Sequence, residues 1–319
     1  MNQTTEDIQL TEIDRNQTDF LMSYCYDLGP LKQSIDRAGL INPPVVLKKP
    51  DRGFQIICGF KRVAALGELS VSSFPCRIVP EGTGEEECFL LNLYDNASHR
   101  VFNPIEKSMA IRGLQNFYPE EKIAKDFLPL LNLHPHKTQL ELFKPLCTLE
   151  KRVKDAVVAG TIDVRTALEL ARMDPESRQT LSSLLIALRL SVSKQAALIE
   201  YISEIALREN LSREDVIHHQ QIQSVLGDEH LNLPQKADAI IRYLRMRRYP
   251  RLTEKEKAFK QTLKDCKLPR DVQFTPPPYF EGNRYCLSLH FTSLKQLREQ
   301  LRDLESFLDS PSLPPLIEG

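Results

Sequence analysis

The chain has no tryptophan, and none of its seven cysteines forms a C-x-x-C pair. Cys25, Cys58, Cys76, Cys88, Cys147, Cys266 and Cys286 are scattered and odd in number, which leaves no pattern for a zinc ribbon or a disulfide framework. No apolar run approaches the roughly 20 residues of a membrane span. The opening MNQTTEDIQL lacks the basic and apolar regions of a signal peptide. Neither sign of charge is in excess: the formal net charge is −1, so any attraction to nucleic acid must come from a local patch. Repeats are absent, and the only biased run is PPP at 276–278. These absences predict a cytoplasmic protein with no membrane association.

What is present is ordinary for globular chains: 319 residues, 41% apolar and 27% charged, enough for two or three domains with real cores. The patterning predicts an α+β protein in three parts. Residues 1–102 read as α/β. IQLTEI reads as a short strand, and LGPLKQSIDRAGL as a helix with Gly39 at its C-terminus. PPVVLKK and GFQIICG pair around a PDRG turn, followed by the helix FKRVAALGEL, the strand FPCRIV and the helix EEECFLLNLYDN. The three glutamates of that last helix stand in its first turn, where the macrodipole favours anions. Residues 103–223 read as almost purely helical, opening with Pro104 at a first helical position. PEEKIAKDFLPLLNL is one expected helix and KTQLELFKPLCTL the next. Residues 224–234 read as a linker. Residues 235–319 return to a small α+β pattern with a basic helix, two strands and a last helix.

GFKRVAALGEL, residues 59–69, carries the first chemical signal. A strand, a glycine and a helix that begins with Lys61 and Arg62 suit an anion. A helix N-terminus offers unpaired N–H groups and the positive end of the dipole. Glycine admits close backbone approach, and arginine forks onto phosphate. A solvated Lys-Arg pair is the competing reading.

Two further stretches bear on it: AGLINPPVVL upstream and DNASHRVFNPIEKSMAI downstream. GLINPPVV, GFKRVAA and DNASHRVFNPIE together resemble, in order and spacing, three boxes of the ParB/sulfiredoxin superfamily, and more closely its ParB branch. The likeness runs from residue 8 to about 200. It implies an amino-terminal nucleotide clamp that binds CTP with Mg²⁺, a helix-turn-helix domain, and a homodimer that loads onto DNA. By position, the implied nucleotide site takes Gly39, Asn42, Gly59, Phe60, Lys61, Arg62, Asn96, His99 and Arg100. Asn96 would help hold Mg²⁺ and Asp95 would be the catalytic acid.

The chain departs from the pattern at several positions. Asn42 replaces a glutamine. Lys61 replaces an arginine, keeping the charge but losing the bidentate fork. Asp95 is one methylene shorter than the family's glutamate. The arginine of the third box falls on His99, with Arg100 one residue late, which on a helix is a turn of about 100°. Weak CTPase activity therefore stays open. Sulfiredoxin activity is not expected, since Phe60 replaces the reactive cysteine. Nuclease activity is not expected either, since EGTGEEE at 81–87 reads as a solvated loop and helix start rather than a metal cluster.

For DNA, the candidate recognition helix offers Lys137, Thr138, Gln139 and Lys144. A long turn without glycine, Glu141, and the helix-breaking Pro145 count against it. His134 and His136 have no partner at metal spacing. From Lys236 to Arg270 twelve Lys or Arg face four Asp or Glu, and Arg242, Arg245, Arg247 and Arg248 interleave with tyrosine as phosphate-binding surfaces do. A solvated charged face is the alternative. In this helix Ala237, Ile241 and Leu244 are expected to face inward. In the last strand Tyr285, Leu287, Leu289 and Phe291 alternate. In the last helix Leu294, Leu297, Leu301, Leu304 and Leu308 keep coiled-coil spacing, which suits either a dimer or packing on the adjacent hairpin.

The expected function is thus a CTP-gated, DNA-loading clamp in chromosome or plasmid partition, cytoplasmic and nucleoid-associated. The alternatives are a transcription regulator of the same fold without a nucleotide cycle, or an enzyme transferring phosphoryl groups to a small molecule. The resemblance would imply an ATPase partner as well, but coupling to one is doubtful, because the acidic, polar amino-terminal stretch lacks the arginine-rich segment that ParB proteins use to stimulate it.

Overall fold

The computed structural model describes residues 4–50, 53–266, 268, 271–309 and 313. Asp51 and Arg52 of the expected turn, and Lys267 and Arg270 of the basic run, lie outside the described residues. Met1–Ala196 form one compact unit and Ala197–Gly319 a second. The α+β class read from the sequence holds.

The first unit begins with a five-stranded mixed sheet. Its strands are β1 (Thr4–Gln9), β2 (Ile13–Asp14), β3 (Val45–Lys48), β4 (Phe54–Cys58) and β5 (Ser73–Val79), in the order β1-β5-β3-β4-β2. β1 pairs antiparallel with β5, β5 parallel with β3, β3 antiparallel with β4, and β4 parallel with β2. The expected strand IQLTEI is therefore split. A 3₁₀ turn at Leu10–Glu12, closed by the Gln9 N–H donating to Glu12 Oε2 at 3.1 Å, carries the chain from one sheet edge to the other. Three helices accompany the sheet: α1 (Gly29–Ala38), α2 (Phe60–Glu68) and α3 (Glu85–His99). Gly39 closes α1 with φ 73°, a backbone state that favours glycine.

Ile8, Ile13, Val46, Ile56, Val63, Leu66, Phe74 and Cys76 form the buried cluster that joins α2 to the sheet. Each aliphatic side chain buried there contributes about 1.5–3 kcal/mol. That burial fixes where α2 begins, and so fixes the site described below.

The helical part of this unit runs through α4 (Pro104–Leu114), α5 (Glu120–Lys122), α6 (Lys137–Phe143), α7 (Lys151–Val158), α8 (Val164–Ala171) and α9 (Pro175–Leu188). Pro104 is the first residue of α4, and Asn103 caps it through the Ile105 and Glu106 N–H groups. The helix expected over 119–133 is broken instead. After α5 the backbone takes a π turn at Ile123–Phe127 and a 3₁₀ turn at Pro129–Leu131. Pro129 has no N–H to continue the ladder.

Gly113 sets how closely α4 approaches α3. A Cβ there would overlap Cε2 and Cζ of the Phe89 ring. Alanine ordinarily improves a helix interior by about 1 kcal/mol over glycine, but displacing a packed ring costs about 1–3 kcal/mol. Gly113→Ala is therefore expected to lower the thermal midpoint. A midpoint at or above that of the wild type would show that the ring gives way freely.

α10 (Val192–Glu209) leads into the second unit, which continues with α11 (Arg213–Ile217), α12 (Gln220–Gly227), α13 (Leu233–Arg248), α14 (Pro250–Asp265), β6 (Val272–Thr275), β7 (Cys286–Leu289) and α15 (Leu294–Leu308). Ser224–Gly227 of the expected linker close α12. In α13 the inward residues are Ala237, Ile240 and Leu244 rather than Ile241. β6 and β7 form an antiparallel hairpin, and the Phe274 and Tyr285 rings stack at 5.5 Å. Leu287 and Leu289 pack on its core cluster. Phe291 does not: β7 ends at Leu289, and Phe291 is half exposed. On α15, Gln300, Leu304 and Phe307 turn inward, while Leu294, Leu301 and Leu308, spaced by seven, stay open. Among the described residues no helix is long and apolar enough to cross a membrane.

Candidate nucleotide site

β4 ends at Cys58, Gly59 takes a left-handed conformation with φ 93°, and α2 starts at Phe60. Only glycine fits this joint. A Cβ on Gly59 would sit 3.1 Å from both Cα and Cβ of Pro44 and 3.2 Å from Nε of Arg62. No side chain caps α2, and its first turn holds no acid. The first intrahelical bond to Gly59 comes from the Val63 N–H at 3.0 Å. The N–H groups of Phe60, Lys61 and Arg62 thus point beyond the helix, as at any uncapped start.

They open on a cavity of about 310 Å³. Every residue the sequence assigned to the nucleotide site lines it except Gly39: Asn42, Gly59 and Phe60 on one side, Lys61 and Arg62 at the helix start, and Asp95, Asn96, His99 and Arg100 from the end of α3. Gly39 shapes the exit of α1, and nothing lies within 4 Å of where its Cβ would be. Met22, Ser23, Leu31 and Asn92 also line the cavity and were not assigned from the sequence. Only Asn92 carried a usable signal there: it precedes Asn96 by four residues and so shares its helix face.

The cavity's charges are mutually engaged. Arg62 donates through Nη1 to the Asn42 carbonyl at 2.7 Å and the Pro43 carbonyl at 3.2 Å. Its Nη2 lies 3.5 Å from Asp95 Oδ2. Asp95 Oδ1 lies 3.9 Å from Nε2 of His99, a mostly exposed side chain. Lys61 Nζ stands 4.9 Å from the centre of the Tyr26 ring. Burial, and next the charge of Arg100, hold its ammonium below the usual lysine range. Burial, and next Asp95, push the Cys58 thiol up to about 12, so it stays protonated at neutral pH and supplies no nucleophile beside Gly59.

Arg100 lines the cavity although it stands one residue after the arginine position of the third box. α3 ends at His99, and Arg100 is extended, with φ −154° and ψ 161°. The helical rotation of about 100° per residue therefore does not apply to it, and its side chain returns to the cavity wall. Nε donates to Asn96 Oδ1 at 2.8 Å, Nη1 to Glu106 Oε2 at 2.5 Å, and Nη2 to the Met22 carbonyl at 2.8 Å. Asn96 Nδ2 in turn donates to Asn92 Oδ1 at 2.5 Å, and Asn92 Nδ2 to the Phe20 carbonyl. Glu106, 2% exposed, also accepts the Tyr24 N–H through Oε1 at 3.0 Å and the Asn103 N–H through Oε2 at 3.0 Å. One hydrogen-bonded chain thus links the cavity, the 20–24 loop and the start of α4.

The donor set fits a polyphosphate: backbone amides, an adjustable ammonium and a guanidinium. It fits a divalent cation at Asn96 less well. Asn96 Oδ1 already accepts from Arg100, whose positive charge repels a second cation there. Among the described residues no group of three or more His, Cys, Asp or Glu could hold a metal.

The residues expected to meet DNA are held elsewhere. Lys137 and Thr138 begin α6, where the His136 ring accepts the Thr138 N–H at 3.3 Å and meets the Thr138 hydroxyl at 2.9 Å. Gln139 is half-buried. Lys137 and Lys144 both reach Glu120, at 3.8 and 3.1 Å. Arg245 forks onto Glu256 at 2.9 and 2.6 Å. Arg247 binds Glu209, and Arg248 binds Glu204. Arg242 is exposed.

Residues 1–97 match the family model of the ParB N-terminal domain. Over 180 residues the chain is 24% identical to the probable chromosome-partitioning protein ParB of Pseudomonas putida, covering 54% of this chain and 57% of that protein. Over 95 residues it is 30% identical to the protein of the same description from Vibrio cholerae serotype O1, covering 28% of this chain and 32% of that one. The matches span less than two-thirds of the length of these curated relatives. A structural match is the C-terminally truncated ParB of Caulobacter crescentus complexed with CTP-gamma-S, 18% identical, covering 57% of this chain and 99% of that chain, with TM-score 0.28. Another is the same truncated protein complexed to the centromeric parS site, 16% identical, covering 60% and 97%, with TM-score 0.35.

Proposed function

We propose that this chain, whose residues 1–97 match the family model of the ParB N-terminal domain, is a ParB-like DNA-binding protein of chromosome or plasmid partition that holds a nucleoside triphosphate at the start of α2. The observation that carries the reading is the joint at Gly59. An uncapped helix start with three available amides opens on the cavity lined by Arg62, Asn96 and Arg100. CTP is the nucleotide the resemblance implies. The γ-phosphoryl group supplies the chemistry of hydrolysis when bound, and this chain is poorly set to use it: Asp95 is turned to Arg62 and is a short carboxylate for orienting water. Binding without rapid turnover is therefore the expected behaviour.

Residues 1–102 then act as the nucleotide domain, 103–223 as a helix-turn-helix domain presenting α6 to DNA, and 235–319 as a carboxyl-terminal domain. Acting on chromosomal DNA places the protein in the cytoplasm, on the nucleoid. For α6 to contact phosphate, Lys137 and Lys144 must exchange Glu120 for the duplex. Of the four arginines interleaved with tyrosine, Arg242 is the one best placed to meet DNA, because Arg245, Arg247 and Arg248 are already bound to carboxylates. Dimerisation through the open Leu294, Leu301 and Leu308 stripe completes the reading. Sedimentation at micromolar concentration should give a dimer for the wild type and a monomer for Leu301→Asp; identical profiles would remove α15 from the interface.

A phosphate beside Lys61 favours its ammonium, whose affinity for protons is depressed in the free protein. Binding should therefore take up a proton, and affinity should fall as pH rises through the titration of Lys61. Calorimetry in two buffers of different ionisation heat should give different apparent enthalpies at alkaline pH. Equal enthalpies would mean that Lys61 stays away from the phosphates.

A second reading is a DNA-binding regulator of the same fold with no nucleotide cycle. The observation favouring it is that Arg62 and Arg100 are each neutralised inside the cavity, by Asp95 and Glu106. A panel of nucleoside triphosphates, titrated with and without Mg²⁺ and mixed DNA fragments, separates the two. Binding of one triphosphate that changes DNA retention supports the clamp; DNA binding indifferent to every nucleotide supports the regulator.

A further inference from the structure

The second unit contains a cavity of about 620 Å³ at the junction of α13 and α14, which is large enough for a nucleotide. Its walls are of two kinds. One is cationic: Arg208 and Arg248, which are paired with Glu209 and Glu204 outside the lining, with Arg251 and Lys255 one turn apart on α14; among the described residues the lining carries one acid, Glu281. The other is aromatic, made by Tyr249, Tyr279 and Phe280.

The two kinds of cation have different freedom. Arg208 is fixed against the end of α13, donating to the Arg248 carbonyl at 2.7 Å and the Arg247 carbonyl at 2.5 Å. Arg248 is bound to Glu204 and lies over the Tyr249 ring at 4.6 Å. Arg251 and Lys255 are exposed on the first turns of α14. That helix has no side-chain cap and no acid in its first turn.

The aromatic wall is built with some effort. Tyr279 and Phe280 both have positive φ, 58° and 57°, a state that side chains other than glycine avoid. Phe280 is anchored edge-on against Phe259 at 5.5 Å. Tyr279 is not anchored in this way: its residue is 73% exposed at the mouth of the cavity.

We propose that this cavity binds single-stranded nucleic acid, with an unstacked base on Tyr279 and the adjoining phosphates on Arg251 and Lys255. An open ring beside exposed cations is the arrangement by which proteins grip single strands, since every base has a face to stack and every nucleotide a charge to neutralise. A duplex keeps its base faces stacked and offers Tyr279 nothing. An acidic peptide would use the cations but leave the ring idle. The site is independent of the cavity at Gly59 and stands whether or not that one takes a nucleotide.

The test is fluorescence anisotropy of the full chain with a labelled oligothymidylate of about 12 nucleotides and with a duplex of the same length. Stacking of one base predicts that Tyr279→Ala weakens the single strand on the order of tenfold and leaves the duplex unchanged, while Tyr279→Phe binds like the wild type. Tyr279→Gly should lose the same affinity yet melt no lower, since glycine accepts the positive φ. This separates binding from folding. Arg251→Ala with Lys255→Ala should flatten the salt dependence by a slope of about 1–2. The proposal is overturned if Tyr279→Ala binds the strand like the wild type or loses strand and duplex equally. It is also overturned if poly-glutamate competes as well as the oligonucleotide, or if thymidine monophosphate binds there while the oligonucleotide does not.

Discussion

Glu106→Ala is expected to destabilise the amino-terminal unit by about 3–5 kcal/mol, the range for breaking a buried ion pair by removing one partner. The carboxylate is almost inaccessible and accepts from three donors: the Tyr24 N–H, the Asn103 N–H and the Arg100 guanidinium. Alanine leaves two partly buried backbone N–H groups and one partly buried cation without that acceptor, and each orphaned group costs about 1–3 kcal/mol. Glu106→Gln keeps the shape but turns an NH₂ toward one of these donors, so an intermediate loss is expected. Urea unfolding followed by circular dichroism reads both variants. A loss below about 1 kcal/mol for the alanine variant would mean that water replaces the carboxylate at little cost, and the chain of bonds from the cavity to α4 would then be incidental.

Gly59→Ala is expected to remove nucleotide binding while leaving the fold in place. An L-residue in a left-handed conformation costs about 1–2 kcal/mol, which a unit of this size can absorb. The new methyl group would also meet the main chain of Pro44 at 3.1 Å, and the start of α2 must shift to relieve it. The amides of Phe60, Lys61 and Arg62 shift with it. A hydrogen bond to a charged group contributes about 1.5–3 kcal/mol, so misaligning two of them lowers affinity on the order of a hundredfold or more. Calorimetry and a thermal melt on the same sample separate the two effects. An alanine variant that melts like the wild type and binds like it would show that the phosphates do not rest on this helix start.

The parts of this molecule that could be read from the chain are those set by neighbours in sequence. Gly39 closing α1, Gly59 opening α2, and the Asn103-Pro104 start of α4 each depend on a few adjacent residues, and the resemblance in three short boxes rests on the same local signals. Arg100 was obscured because its direction depends on α3 stopping one residue earlier, which no rule of helical spacing supplies. Asn92, Met22 and Ser23 reach the cavity through tertiary packing. The pairings within the basic run were hidden for the same reason: Glu209 and Glu204, which bind Arg247 and Arg248, lie 38 and 44 residues away, outside the counted run, and Glu256 lies inside it, 11 residues from Arg245, where a count of charge does not show which cation it binds. The exposed Leu294, Leu301 and Leu308 stripe was visible as a heptad pattern. Only the packing of Leu304 and Phe307 shows which half of that pattern the unit uses for itself.

The account rests on phosphates meeting the first amides of α2. Backbone amide chemical shifts of the ¹⁵N-labelled chain during a CTP titration measure that contact directly. Gly59, Phe60, Lys61 and Arg62 should shift together and saturate, and Gly59→Ala should abolish the response. Shifts confined to other segments, or none at nucleotide concentrations that saturate a competent ParB, would mean that no phosphate rests on this helix start.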